Sequence, residues 1–297
     1  KKKKKKIYIL TSANKKIGYG HFARSKVLYR QISETYSTDI TYVFYEIETK
    51  SDLKNLIKDE KYLDYQKFKR NIPGNSVTIV DLPFEYFSKI VGHIKKNQSI
   101  IIDNFSKFKK HTNILPTIKK TKSKNYNNTF SGIKYLILNK NLLFEKLHFK
   151  KKKIHILFLF GSTRSPDEKI LKDILRSKIK NYLIILGPYV KKVVVRNLRK
   201  RNFKILVNPK NYYEILCISK KVICIHGVST YEAISIGLKP SIYSPPNETK
   251  ERLSDIKLLN NKNFSKNYEY QDLLNIKEFS KINPEISFGG INILRFI

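Results

Sequence analysis

The first residues in the chain whose types and spacing could do chemistry are Gly18, Gly20, His21 and Arg24, in the run IGYGHFARS. They come directly after the first apolar run, where a helix is expected to begin. An imidazole there can act as a general base, because it titrates near neutral pH. The plainer reading is a helix-start residue that hydrogen-bonds nearby backbone. Gly18 and Gly20 permit a tight turn and the close approach of a ligand. Backbone N–H groups at the following helix start favour an anion such as a diphosphate. This is not a dinucleotide fingerprint, since Gly-x-Gly is followed by His-Phe-Ala with no third glycine in place. Arg24, one turn along, either lies on the surface or steadies a phosphate or a neighbouring loop.

A second group lies in CIHGVSTYEAISIGLKPSIYSP. Ser229 and Thr230 offer hydroxyls and backbone N–H groups at a helix start, behind Gly227. Glu232 sits early in that helix, where its carboxylate can accept hydrogen bonds from vicinal ribose hydroxyls. The plainer reading makes Ser229 and Thr230 caps and Glu232 a carboxylate that complements the helix dipole. Gly237 ends the helix and Pro240 leads into the next strand. A third group is LFGSTRSPDE with LGPYV, in which Gly161 and Gly187 end strands and Ser162 follows the first of them. Asp81 and Asp103 also stand at strand ends. They read first as turn or cap aspartates, and otherwise as groups that orient His21 or contact a sugar.

Short runs rich in Ile, Val, Tyr and Phe must position these loops. Residues 7–11, 40–46, 77–83, 99–105 and 134–139 read as buried strands of the first half. Residues 154–161, 181–188, 203–208, 221–227 and 240–245 repeat the pattern in the second half. Helical spacing fills the gaps: Phe22, Val27, Leu28 and Ile32; Leu53, Leu56 and Ile57; Phe84, Phe87, Ile90, Val91 and Ile94. Ser165 reads as an N-cap ahead of Pro166, with Asp167 and Glu168 in a first turn. Residues 119–132 are polar and expected as an exposed loop, and the run at 148–153 as a linker. The alternation predicts an α/β chain of two Rossmann-like, doubly wound domains, residues 1–149 and 150–297. Two such sheets facing one another would form a cleft, bordered by the loops at the carboxyl ends of the strands.

The 297 residues include Lys+Arg 60 against Asp+Glu 24, a formal net charge of +36. A polyanion partner is one reading: nucleic acid, an anionic membrane surface or a phosphorylated substrate. The other is a composition bias spread over the surface, which fits the abundance of Lys, Ile and Asn throughout. The leading six lysines read as a solvated tail. The apolar run after them is too short for a secretory signal, and no stretch approaches a membrane span. Cys217 and Cys224 lack metal-site spacing and read as buried free thiols in a reducing cytoplasm. Nothing in the chemistry accounts for the absence of methionine.

The runs IGYGHFARS, ILFLFGST, NYLIILGP, CIHGVSTYEAISIGLKPSIY and FGGINILRFI resemble, in order and spacing, the PseG/SpsG-like family over nearly the whole chain. The family includes the UDP-trideoxysugar hydrolase of pseudaminic acid biosynthesis and spore-coat polysaccharide proteins, with GT-B architecture. The resemblance implies that His21 activates water at the anomeric carbon of a UDP-sugar, on the side of the first domain. It implies that the second domain holds UDP, with Glu232 near the ribose and the turn at 227–230 near the diphosphate. It implies no metal and no cofactor. Leu10 and Ser12 stand where the family carries an Arg-x-Asp pair, which removes one acid that could partner the base. The family's Gly-Gly-x-Asp loop is Gly161, Ser162, Thr163 and Arg164 here, and His226 replaces a small residue. A cytoplasmic UDP-sugar hydrolase of surface-glycan synthesis is the leading expectation. The alternative is a GT-B glycosyltransferase whose basic surface rests on an anionic membrane. A nucleotide-sugar-binding remnant and a nucleic-acid binder complete the set. The dispersed lysines and the lack of a nucleic-acid motif stand against the last.

Overall fold

The computed structural model describes residues 6–47, 57, 60–116, 128–132, 135–139, 141–148, 152–161, 165–166, 168–176, 179–225, 227–238, 240–243, 293 and 296. The chain divides into two compact units. Unit 1 is Lys1–Leu138 with Ile286–Ile297, and unit 2 is Asn139–Glu285.

In unit 1 the order is β1 (Lys6–Ala13), α1 (Gly20–Thr35), β2 (Asp39–Ile47), β3 (Tyr62–Asp64), α2 (Tyr65–Arg70), β4 (Ser76–Asp81), α3 (Phe84–Ile90), β5 (Gln98–Ile102), β6 (His111–Leu115) and β7 (Thr129–Ser131). The strands form one parallel sheet, β3-β2-β1-β4-β5-β6-β7. Alternate residues of β1 enter two apolar layers. Ile7 and Ile9 pack with Phe22, Leu28 and Ile32 of α1. Tyr8 and Leu10 pack with Tyr86, Phe87 and Ile90 of α3. Burial on both faces is why these strands read as continuous apolar runs. Each fully buried Phe, Leu or Ile stabilises the fold by about 2 kcal/mol.

Unit 2 runs α4 (Asn141–His148), β8 (Ile154–Leu159), α5 (Glu168–Arg176), β9 (Tyr182–Leu186), α6 (Lys192–Lys200), β10 (Ile205–Val207), α7 (Tyr212–Cys217), β11 (Ser219–Ile225), α8 (Val228–Ser235) and β12 (Pro240–Tyr243). Its parallel sheet has the order β10-β9-β8-β11-β12. Both sheets are therefore doubly wound. Strand order reverses between β1 and β4 in unit 1, and between β8 and β11 in unit 2.

Several expectations are corrected. Among residues 135–139 there is no strand, although Tyr135, Leu136, Ile137 and Leu138 are buried. Tyr135 and Ile137 fill the α1-side core as irregular chain, while the sheet edge is taken by β7. That short strand emerges from the run expected as a loop. The division of the chain falls ahead of the polar run expected as a linker, because His148 ends α4, which packs against α7 of unit 2. At the other end Ile293 is buried in the core of unit 1, and Phe296 packs against Phe130 with ring centroids 4.6 Å apart and the rings tilted by 45°. Of the helix expected around Leu53, Leu56 and Ile57, only the buried Ile57 is among the described residues. Ser165 and Pro166 precede α5, and residue 167 lies outside the described set. Cys217 and Cys224 are buried and unpaired to one another. Among the described residues no helix is long and apolar enough to cross a membrane.

Candidate functional site

Unit 1 places His21 at the reversal of its strand order, where ligands of open α/β sheets bind. After β1 the chain turns back on itself. The Gly18 N–H donates to the Asn14 carbonyl at 2.8 Å, and the Ile17 N–H donates to the Asn14 Oδ1 at 2.8 Å. Gly18 has φ 90°, a left-handed conformation that favours glycine. Gly20 carries no such demand, since a β-carbon there would meet nothing within 4 Å. Helix α1 then begins with no side-chain cap and no acid in its first turn. Its leading N–H groups are therefore left to solvent or to an anion.

From that first turn His21 reaches across to the end of β4, where its Nδ1 lies 2.7 Å from the Oδ1 of Asp81. Asp81 is fully buried, and the His21 side chain keeps 16% of its exposure. Arg24, one turn further on the same helix face, takes the same carboxylate in a bidentate grip. Its Nη2 donates to Oδ1 at 2.6 Å and its Nε to Oδ2 at 2.9 Å. The remaining Nη1 donates to the Oδ2 of Asp103 at 3.3 Å. Burial alone would lower the proton affinity of this guanidinium, but the two aspartates overcome it and raise its pKa above the ordinary arginine value. Asp81 paired in this way is an ionised acceptor. The Nδ1 of His21 therefore carries the hydrogen donated to it, so that in the neutral ring Nε2 is the nitrogen with the lone pair. The 3.3 Å approach of Arg24 Nη2 to Nδ1 then sets two donors side by side, so it is not a bond.

The preferred reading of Asp81 and Asp103 as plain turn or cap residues gives way here. The sheet order sets the end of β4 beside β1, and both aspartates become partners of Arg24. Asp103 adopts φ 63°, in the left-handed region, which turns its carboxylate toward Arg24. Its neighbour Asn104 fixes that turn by donating from Nδ2 to the Leu82 carbonyl at 2.7 Å. The acid partner of the imidazole thus comes from β4 and not from β1. Ser12 itself is buried.

Unit 2 gathers its residues at the corresponding reversal. Gly161 follows β8 with φ 79°, and its carbonyl accepts the Gly187 N–H at 3.1 Å, which ties the ends of β8 and β9 together. Ser162 lies outside the described residues, as do Thr163, Arg164 and His226. After β11, Gly227 leads into α8, and its N–H donates to the Thr230 Oγ1 at 3.3 Å. Thr230 is wholly buried, with that hydroxyl also 3.4 Å from the Cys224 thiol. Its hydroxyl therefore shapes the turn and is not presented to a ligand, as the capping alternative has it. Ser229 is half-buried. Gly237 closes the helix with φ 83°, while the Leu238 N–H returns to the Ala233 carbonyl at 3.0 Å.

Glu232 is 7% exposed. Its Oε2 accepts from the Tyr212 hydroxyl at 3.0 Å and its Oε1 from the Tyr213 hydroxyl at 3.3 Å. Burial pushes its pKa up to about 7, with the two phenols pulling the other way. Tyr212 is raised well above its usual value, by burial first and by the Glu232 charge second. Sequence reasoning missed these tyrosines. The one local signal is the adjacent pair at the start of α7, behind the short strand β10.

Two open basins of about 450 and 430 Å³ lie elsewhere, at the amino ends of the strands. Lys96, Lys109 and Lys110 line the first, and Lys152, Lys180 and Lys220 the second. The chemistry-bearing residues stand at the opposite, carboxyl ends. Among the described residues no group of three or more His, Cys, Asp or Glu could hold a metal ion.

No protein-family model and no curated protein matches the chain by sequence. Solved structures are similar to it in fold. UDP-GlcNAc 2-epimerase from Methanocaldococcus jannaschii, in complex with UDP-GlcNAc and UDP, aligns with TM-score 0.52 and 12% identity over 98% of each chain. MurG of Acinetobacter baumannii aligns with TM-score 0.51 and 11% identity, over 85% of this chain and 82% of its own. MnaA of S. aureus, solved with UDP, gives 0.51 and 13%, over 86% and 82%. At such identities the likeness shows the fold: a GT-B-like chain of two Rossmann-like units.

Proposed function

We propose that the protein is an enzyme acting on a UDP-sugar, in which His21 is the general base. The observation that carries this is the 2.7 Å contact of His21 Nδ1 with Asp81. It leaves Nε2 free to accept a proton at the switch point of the first sheet. In the reaction an oxygen nucleophile bonds to the anomeric carbon, the bond from that carbon to the diphosphate oxygen breaks, and UDP leaves. The nucleophile's proton passes to Nε2 of His21, and the imidazolium formed is held by Asp81. The uncapped start of α1 offers N–H groups to negative charge that develops as the diphosphate departs.

In this reading unit 2 takes the nucleotide. Behind Gly227, the start of α8 at Val228 and Ser229 presents backbone N–H groups, with Gly161 and Gly187 at the neighbouring strand ends. Glu232, already accepting from two phenols, has further lone pairs for ribose hydroxyls. Support comes from solved structures of similar fold that hold UDP or UDP-GlcNAc.

Two nucleophiles fit the same base. An acceptor hydroxyl makes the protein a glycosyltransferase, and water makes it a hydrolase. The fold likeness to MurG and to UDP-sugar epimerases sits with the broader transferase-like reading, and the sequence resemblance favours water. UDP release from a panel of UDP-sugars, with and without acceptor sugars, separates them. Release that requires acceptor identifies a transferase, and release without it a hydrolase. Binding without any turnover contradicts both.

A further inference from the structure

One carboxylate at the carboxyl edge of the first sheet has no part in the His21 cluster. Glu46 stands at the end of β2, next to β1. The pairing there is irregular: Thr11 faces Phe44, but Ala13 faces Ile47. Tyr45 and Glu46 therefore oppose Ser12 alone, a bulge of the kind that re-aims a side chain. Glu46 is exposed. An exposed glutamate ordinarily samples several rotamers, yet this one is held at one oxygen. The hydroxyl of Tyr86, a residue only 3% exposed, donates to its Oε2 at 2.5 Å. The Asn14 Nδ2 approaches the same oxygen at 3.4 Å.

Asn14 is also the residue whose Oδ1 and carbonyl hold the Ile17 and Gly18 N–H groups. Glu46 is thus braced against the loop that delivers His21. Its other oxygen, Oε1, makes no hydrogen bond among the described residues. Nor does it form an ion pair there, in a chain with Lys+Arg 60 against Asp+Glu 24. The nearby Lys16 pairs with Glu85 instead, at 3.5 Å.

A bulge, a buried phenol and a loop asparagine thus fix one oxygen and present the other at the carboxyl end of the sheet. We infer that Glu46 is a sugar-recognition residue, whose Oε1 accepts a hydroxyl or amide N–H from the glycosyl group of the substrate. This rests on the UDP-sugar reading and adds to it the residue that senses the sugar. The site discriminates by acceptor chemistry, so a glycosyl group with a donor at the matching position is favoured over one without.

The test is calorimetric titration of the full chain with UDP and with UDP-N-acetylglucosamine, for the wild type and Glu46→Gln. Glutamine keeps an oxygen for Tyr86 and Asn14 but turns an amino group outward, a donor facing a donor. The expected result is UDP affinity within about twofold of wild type, an unchanged Tm, and UDP-N-acetylglucosamine affinity reduced about tenfold. Equal weakening of both ligands, or of neither, overturns the inference and leaves Glu46 a brace for the loop. Wild-type protein that holds UDP and UDP-N-acetylglucosamine equally also overturns it. Wild-type protein that binds neither ligand contradicts the UDP-sugar reading itself.

Discussion

Arg24 grips both oxygens of the buried Asp81, at 2.6 and 2.9 Å, and so decides what that carboxylate can do for His21. Ionised and fixed in orientation, Asp81 can only accept. The imidazole that meets it at 2.7 Å is thereby held as one tautomer. The bidentate geometry is particular to arginine, since a lysine supplies a point charge without the fork.

Replacing Arg24 by alanine leaves a buried carboxylate without its cation. Loss of one partner of such a pair costs about 3–5 kcal/mol. Urea denaturation of Arg24→Ala is expected to show a loss in that range, with Arg24→Lys recovering only part of it. A loss below about 1 kcal/mol would mean that Asp81 has another way to be satisfied.

Asp81→Asn preserves shape and removes the charge. The new amide donates to Nδ1 of His21 and moves the ring hydrogen to Nε2, the wrong nitrogen for a base. Turnover is expected to fall about 10²-fold or more with UDP affinity unchanged. Nitrogen NMR of the ring should report the exchanged tautomer in the variant. An unchanged tautomer would contradict the assignment of the hydrogen to Nδ1.

Much of this arrangement was legible because it is local. His21 and Arg24 lie three residues apart, one turn on a helix, and the glycine pattern before them marks the turn. The partnership with Asp81 could be read only as the second alternative to a turn or cap aspartate, because it spans sixty residues and depends on which strand lies beside β1. A strand ending in aspartate looks the same at any place in the sheet. The run at 135–139 misled for a related reason: burial makes a sequence apolar whether or not its backbone joins a ladder. Tyr212 and Tyr213 are marked only by their adjacency at the start of α7, and Glu46 by no pattern at all. Their significance comes from a partner in another element, and for Glu46 from a bulge.

The two glycines of the first loop should behave differently. Gly18 has φ 90°, so Gly18→Ala is expected to cost about 1–2 kcal/mol. Gly20 begins α1 with open space around its β-carbon position, so Gly20→Ala should change stability by less than about 0.5 kcal/mol. Thermal denaturation of the two variants side by side checks the contrast, and equal costs would contradict it.

Glu232 gives stability a pH dependence of known sign. Its pKa is raised from 4.5 to about 7 in the fold, so between those values the folded state binds more protons than the unfolded one. Stability therefore falls as pH rises from about 4.5 to about 7 and levels off above that, by about 3 kcal/mol in total. Urea titrations of wild type and Glu232→Gln across this window should diverge accordingly. Parallel curves would mean that Glu232 is solvated.

The central claim is that His21 takes the proton of the attacking oxygen, and turnover of a UDP-sugar by His21→Ala tests it most directly. UDP release is expected to drop about 10²-fold or more, with the dissociation constant for UDP unchanged. A variant that releases UDP at the wild-type rate would contradict it.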